Sequence, residues 1–88
     1  HRWTLTIHGN TRRLTAREAA ILEQLAKHQG DVVESSELLM NIWGDDGYYA
    51  LRSLNVFISR LRSYLTEDRR IEIQSVRGSG YRLLVDNK

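Results

Sequence analysis

Apolar and polar residues alternate over Trp3-Thr4-Leu5-Thr6-Ile7, and His8-Gly9-Asn10 offers turn chemistry before Thr11 to Leu14, so the chain opens on a predicted β-hairpin. The period then lengthens. Thr15-x-x-Glu18 is a capping box, whose hydroxyl and carboxylate satisfy backbone donors at a helix start, and Ala19, Ile21, Leu22, Leu25 and Ala26 follow at helical spacing. Gly30 is expected to stop this helix, because it enters the left-handed conformation at low cost. Val32-Val33 reads as a short extended piece, and Ser35 or Ser36 is expected to cap a second helix whose apolar face, Leu38, Leu39, Ile42 and Trp43, ends at Gly44. After a loop at Asp45-Asp46-Gly47-Tyr48-Tyr49, Leu51, Leu54, Ile58, Leu61 and Leu65 recur at steps of three and four and trace a third helix from about Leu51 to Thr66. Ile71 to Val76 alternates again, Arg77-Gly78-Ser79-Gly80 turns, and Tyr81 to Val85 returns as a second hairpin. Two strands alone are marginal, so the opening hairpin is expected to pack on the helices or to belong to a larger sheet. The fold class is α+β, a three-helix core between two hairpins.

Eighty-eight residues, 41% hydrophobic and 27% charged, make one domain (1–88) without disorder or low-complexity tracts. A chain of this size buries roughly 60 to 65% of the surface it exposes when unfolded, enough for one modest core. The absence of cysteine excludes disulfides, thiolate metal sites and cysteine nucleophiles, and fits a reducing, cytoplasmic setting. No apolar run has the length of a membrane helix, so no membrane partner is expected. The start at His1-Arg2-Trp3 reads as an excised piece of a longer protein, and Asp86-Asn87-Lys88 as a polar tail.

Net charge is only +2, so its distribution matters more than its sum. Asp31 to Asp46 holds five acids (Asp31, Glu34, Glu37, Asp45, Asp46) and no Lys or Arg, whereas Gly47 to Thr66 holds three arginines (Arg52, Arg60, Arg62) and no acid. On a helical wheel Arg52, Val56, Ser59, Arg60 and Ser63 lie opposite the apolar stripe, with Asn55 and Arg62 toward one edge. Solvated helices usually mix Glu with Lys, and Val56 amid polar neighbours has no core to explain it. A DNA major groove would explain both. Arg60 can bind guanine O6 and N7 in bidentate fashion, Asn55 suits adenine, Val56 suits a thymine methyl, and Arg52 and Arg62 on the flanks suit phosphates. The tip residue Arg77 could enter the adjacent minor groove.

Other chemistry finds little support. His1, His8 and His28 show no ligand spacing and read as surface or terminal residues, so no metal is expected. Ser35-Ser36 has no partnering base, and Gly78-x-Gly80 lacks the strand-to-helix setting of a phosphate loop. No cofactor and no catalysis are expected. A protein-interaction module that docks on a partner protein through the same helix remains the alternative reading, and RNA binding is disfavoured by the lack of an aromatic stacking platform.

Taken in order, Leu14-Thr15-x-x-Glu18, Gly30-x-Val32-Val33, Leu38-Leu39-x-x-Ile42-Trp43-Gly44, Arg52-x-x-Asn55-Val56-x-Ile58-x-Arg60-Leu61-Arg62 and Val76-Arg77-Gly78-x-Gly80-Tyr81-Arg82 resemble the winged helix-turn-helix output domain of OmpR/PhoB-type response regulators. The resemblance implies an N-terminal four-stranded sheet, here represented by its last one or two strands, a three-helix core and a C-terminal β-hairpin wing. It implies a transcription factor on double-stranded DNA, bound to direct repeats as a head-to-tail pair. A receiver domain, lacking here, would be addressed by a cognate sensor kinase. The loop Asp45, Asp46, Gly47, Tyr48, Tyr49 would face RNA polymerase. Carried over by position, Asn55, Val56, Ser59 and Arg60 approach bases, Trp43, Arg52, Arg62, Ser75 and Tyr81 meet phosphates, and Arg77 is the minor-groove arginine. The chain departs from the pattern at Phe57, where a polar residue is common and packing is expected instead. It also departs at Asn55, where Asp is usual, at Ser59, where some members carry Arg, and at Arg12, where an apolar strand residue is common.

Overall fold

The structure, a computed structural model, describes residues 3–86. The readings of His1 as a terminal residue and of Asn87 and Lys88 as a polar tail lie outside the described residues. Trp3–Ile7 (β1) pairs antiparallel with Asn10–Leu14 (β2), with Ile7 opposite Asn10. Both connecting residues, His8 and Gly9, have positive φ, 50° and 82°. That is the type I′ pattern, whose twist matches that of the strands it joins.

The capping box at Thr15 is complete. Thr15 Oγ1 accepts the Glu18 N–H at 3.2 Å, and Glu18 Oε1 accepts the Thr15 N–H at 2.8 Å. The helix this box starts, Ala16–Lys27 (α1), ends before Gly30, which takes φ 89° and donates its N–H to the Leu83 carbonyl at 2.8 Å. Glu18 is buried, and its second oxygen accepts the Tyr64 hydroxyl at 3.0 Å. That bond is the largest cause raising the Tyr64 pKa, since ionising the phenol would destroy it. Arg12 lies over the Tyr64 ring at 4.3 Å, which accounts for an arginine at a strand position where an apolar residue is common.

Val33–Glu34 (β3) runs directly into Ser35–Ile42 (α2). The expectation that Ser35 or Ser36 caps α2 is corrected: Glu34 is the N-cap, without a side-chain bond. Strand and helix abut, so Ser35 takes the first helical position, and its N–H is satisfied by the Ser79 carbonyl at 3.0 Å.

The third helix, Tyr48–Leu65 (α3), starts three residues before the predicted Leu51. Asp45 Oδ1 accepts the Gly47 N–H at 2.9 Å and closes a tight turn, so Gly47 serves as N-cap and the loop shrinks to Asp45–Gly47. Ala50, not Leu51, begins the buried stripe that continues through Leu54, Ile58, Leu61 and Leu65; Leu51 is 39% exposed.

Ile71–Val76 (β4) and Gly80–Val85 (β5) form the second hairpin, and β3 adds to its far side in the order β3-β5-β4. Ile21, Leu25, Leu38, Leu54, Ile58 and Leu61 are fully buried where the three helices meet, and Ile7, Val33, Ile73 and Leu83 cover them from the strands. At roughly 1.5–3 kcal/mol per buried aliphatic side chain, this cluster is the main stabiliser of the domain.

The α3–β4 junction carries a polar cluster that sequence patterning does not reveal. Buried Asp68 accepts from Arg70 Nε at 3.1 Å, from Arg70 Nη2 at 2.9 Å and from the Arg70 backbone N–H at 2.9 Å, while His8 Nε2 stands 3.4 Å away. The Arg70 side chain, first, and its backbone N–H, second, lower the Asp68 pKa from 3.8 to about 2. A carboxylate held below its unfolded value stabilises the fold above pH 4 and loses that contribution as pH falls toward 2. Asp68→Asn is therefore expected to lower the urea midpoint at pH 7 while matching the native chain near pH 2. A deficit of equal size at both pH values would remove the carboxylate from this role.

Candidate nucleic-acid interface

With 18 residues, α3 is about 27 Å long. At about 100° per residue the face opposite its buried stripe is centred on Ser63, Arg52 and Val56, with Ser59 on the side toward the wing and Tyr49, Arg60 and Ser53 on the other. Val56 is 50% exposed and Tyr49 is 79% exposed, and both line one shallow cleft with Arg52, Ser53, Phe57 and Arg60. Tyr49 therefore belongs to the helix face and not to a loop. Its spacing shows this in retrospect: it stands seven residues before Val56, two helical turns.

Phe57 is half-buried on the flank. Its ring meets Trp43 edge-on at 5.7 Å, and the Arg60 guanidinium lies 5.4 Å above it. Arg17 of α1 covers Trp43 in turn, at 4.8 Å from the ring centre. A line of aromatic and cationic contacts thus runs from α1 through Trp43 at the end of α2 to Arg60, and the unusual phenylalanine packs between Trp43 and the Arg60 guanidinium. Arg17 had no signal in the sequence, since nothing in its spacing ties it to Trp43.

On the wing side, several candidate residues hold one another. Arg62 donates from Nε to the Ile73 carbonyl at 3.0 Å and from Nη2 to Ser75 Oγ at 2.6 Å, and lies 5.9 Å from the Tyr81 ring centre. Two of its five donors thus tie α3 to β4, leaving three for an outside partner. The Tyr81 hydroxyl donates to Asn55 Oδ1 at 2.8 Å, linking β5 to α3. These bonds tie the wing to the helix, so that side chains of both form one continuous surface.

Arg77 is exposed at the wing tip, where the Ser79 N–H returns to the Val76 carbonyl at 3.0 Å and Gly78 takes φ 78°. Gly80 is buried, paired with Val76 on one side and Glu34 on the other. The expected turn reading of its glycine missed this packing. Exposed Glu34, Glu37, Asp45 and Asp46 lie on or next to α2, and α3 itself carries no carboxylate. Among the described residues no group of His, Asp and Glu could hold a metal ion, and no helix is long and apolar enough to cross a membrane.

Residues 9–83 match the family described as "Transcriptional regulatory protein, C terminal". The chain is 36% identical to the transcriptional regulatory protein RprY of Bacteroides fragilis over 80 residues, 91% of the chain and 34% of the relative, and so spans about a third of that protein's length. Among solved structures, the C-terminal domain of the nisin resistance regulator NsrR, a lantibiotic response regulator, superposes with a TM-score of 0.74 at 32% identity. That match covers 91% of this chain and 82% of the other. The DNA-binding domain of Escherichia coli CadC gives 0.79 at 29% identity, covering 93% and 78%. Three helices, a short strand joined to a C-terminal hairpin and these matches lead to one conclusion: the chain belongs to the OmpR/PhoB-type family of transcriptional regulator C-terminal domains and has their winged-helix fold.

Proposed function

We propose that this domain binds double-stranded DNA sequence-specifically and controls transcription as the effector domain of a two-component response regulator. One observation carries the reading: an 18-residue helix exposes an uninterrupted face of Arg52, Val56, Ser59, Arg60 and Ser63 without a carboxylate, locked to a wing that ends in an exposed arginine. In this reading α3 lies in the major groove. Asn55, Val56, Ser59 and Arg60 approach base edges, Trp43, Arg52, Arg62 and Ser75 meet phosphates, Tyr81, expected on a phosphate as well, instead gives its hydroxyl proton to Asn55, and Arg77 enters the minor groove. Tyr49, on the same face, joins the groove-facing set, and Asp45, Asp46 and Gly47 stay turned from the phosphates, open to RNA polymerase. Direct repeats would seat a second copy head-to-tail. A receiver domain elsewhere in the protein would take the signal from a sensor kinase, in the cytoplasm, and the domain itself would catalyse nothing.

Counterion release supplies the test. If two to four phosphates are neutralised per domain, log K is expected to fall with log salt at a slope of about −2 to −4. Docking of the same face on a protein partner predicts no duplex binding. Failure to bind any duplex at low salt, with the helical circular dichroism intact, would overturn the DNA reading.

A further inference from the structure

We propose that Tyr81 decides which base Asn55 reads, by holding the Asn55 amide with its oxygen toward the wing and its NH2 group left for the groove. The inference rests on the DNA-binding reading above and adds a base preference to it. The Tyr81 hydroxyl donates to Asn55 Oδ1 at 2.8 Å. Tyr81 is itself well fixed: half-buried in the central strand of its sheet, it pairs with Val33 on one side and Ser75 on the other, and Arg62 lies over its ring. Arg62 cannot swing away without giving up its bonds to the Ile73 carbonyl and Ser75 Oγ. Asn55 is exposed on the wing-side edge of α3, so its amide is a flexible group held by a rigid one.

The consequence is chemical. Bidentate recognition of adenine needs both ends of an asparagine amide, the oxygen accepting from N6 and the nitrogen donating to N7. Here the oxygen, although it keeps a second lone pair, is held toward the wing by the Tyr81 hydroxyl, so what the amide offers the groove is a nitrogen with two donor hydrogens. Guanine offers two neighbouring acceptors, O6 and N7, and no donor on that part of its edge. Tyr81 thus turns a residue type that ordinarily suits adenine into one that suits guanine. An aspartate at 55 would take the same tyrosine proton and present only acceptors, matching the N4 amino group of cytosine. Tyr81 acts here as a positioning residue and Asn55 as the reader.

Selection of bound sequences from a random duplex DNA pool tests this with the native chain, Asn55→Ala, Asn55→Asp and Tyr81→Phe. The position whose preference disappears in Asn55→Ala is the one Asn55 faces. There the native chain is expected to favour guanine over adenine by about five-fold or more, the lower end of what a good two-bond contact discriminates. Tyr81→Phe keeps the ring and frees the amide, so the ratio should fall to within about two-fold; Asn55→Asp should move the preference to cytosine. Adenine preferred by the native chain, an unchanged ratio in Tyr81→Phe, or no position affected by Asn55→Ala would each overturn the proposal. A Tyr81 that merely supports the wing would lower affinity for every sequence equally and leave the ratio untouched, which also overturns it. Recovery of no duplex by the native chain would instead defeat the DNA reading itself.

Discussion

Gly80→Ala is expected to destabilise the domain by about 3 kcal/mol or more, the upper range for forcing extra volume into a packed site. A Cβ at this position would stand 2.1 Å from the Val33 carbonyl oxygen, 2.8 Å from the Ser35 nitrogen and 2.9 Å from the Glu34 Cα. All three are backbone atoms, so no side-chain rotation relieves the clash. The pairing of β3 with β5 must open instead, and with it goes the bond from the Ser35 N–H to the Ser79 carbonyl that satisfies the start of α2. Against a total stability of roughly 5–15 kcal/mol for a small domain, this is a large share. Gly78→Ala provides the contrast. Nothing lies within 4 Å of its Cβ, but φ is 78°, so only the left-handed backbone penalty of about 1–2 kcal/mol applies. Urea unfolding of both variants is expected to place Gly80→Ala far below Gly78→Ala. A Gly80→Ala midpoint equal to or above that of Gly78→Ala would show that β3 and the wing do not approach so closely. Because the wing would shift relative to α3, Gly80→Ala should also weaken duplex binding under conditions where it stays folded.

The same glycine shows where sequence reasoning stops. Periodicity is a local property, and it located all three helices and both hairpins, since Ile21, Leu25, Leu54, Ile58 and Leu61 are buried at the spacings their elements require. It erred where a boundary depends on a contact from elsewhere. Neither Ser35 nor Ser36 caps α2, because the wing turn, more than forty residues later, supplies the acceptor. Tyr48 and Tyr49 resemble loop residues beside Asp45, Asp46 and Gly47, but the Asp45 turn closes early enough for the helix to begin at Tyr48. Long-range side-chain links were equally illegible: Tyr64 to buried Glu18, Arg17 to Trp43, and Arg70 and His8 to Asp68 connect residues that no spacing rule joins, apart from the near neighbours Asp68 and Arg70. Phe57 was half legible. Its position on the wheel indicated packing, and only the structure shows that the packing runs from Trp43 to beneath Arg60.

That support makes Arg60 the position where the binding effect should be largest and most selective. Arg60 is exposed, with its guanidinium above the Phe57 ring on the side of the helix face away from the wing, whereas Arg52 lies one turn from the helix start, 5.8 Å from the Tyr48 ring centre. A guanidinium buttressed through Phe57 and Trp43 can present two parallel donors to guanine, and loss of such a pair costs about 1–3 kcal/mol, or roughly 5- to 150-fold, on the correct site alone. Arg60→Ala is therefore expected to weaken binding to a selected site by that factor with little effect on unrelated duplex. Arg52→Ala should weaken both equally and flatten the salt slope by about one, as removal of a phosphate contact does. Arg60→Lys separates charge from geometry: lysine keeps the positive charge but not the planar fork, so non-specific affinity and salt slope should persist while discrimination falls. Competition binding with selected and scrambled duplexes reads all three variants. Equal losses on both duplexes for Arg60→Ala, or full discrimination in Arg60→Lys, would place Arg60 on the phosphates and leave base reading to Asn55, Val56 and Ser59.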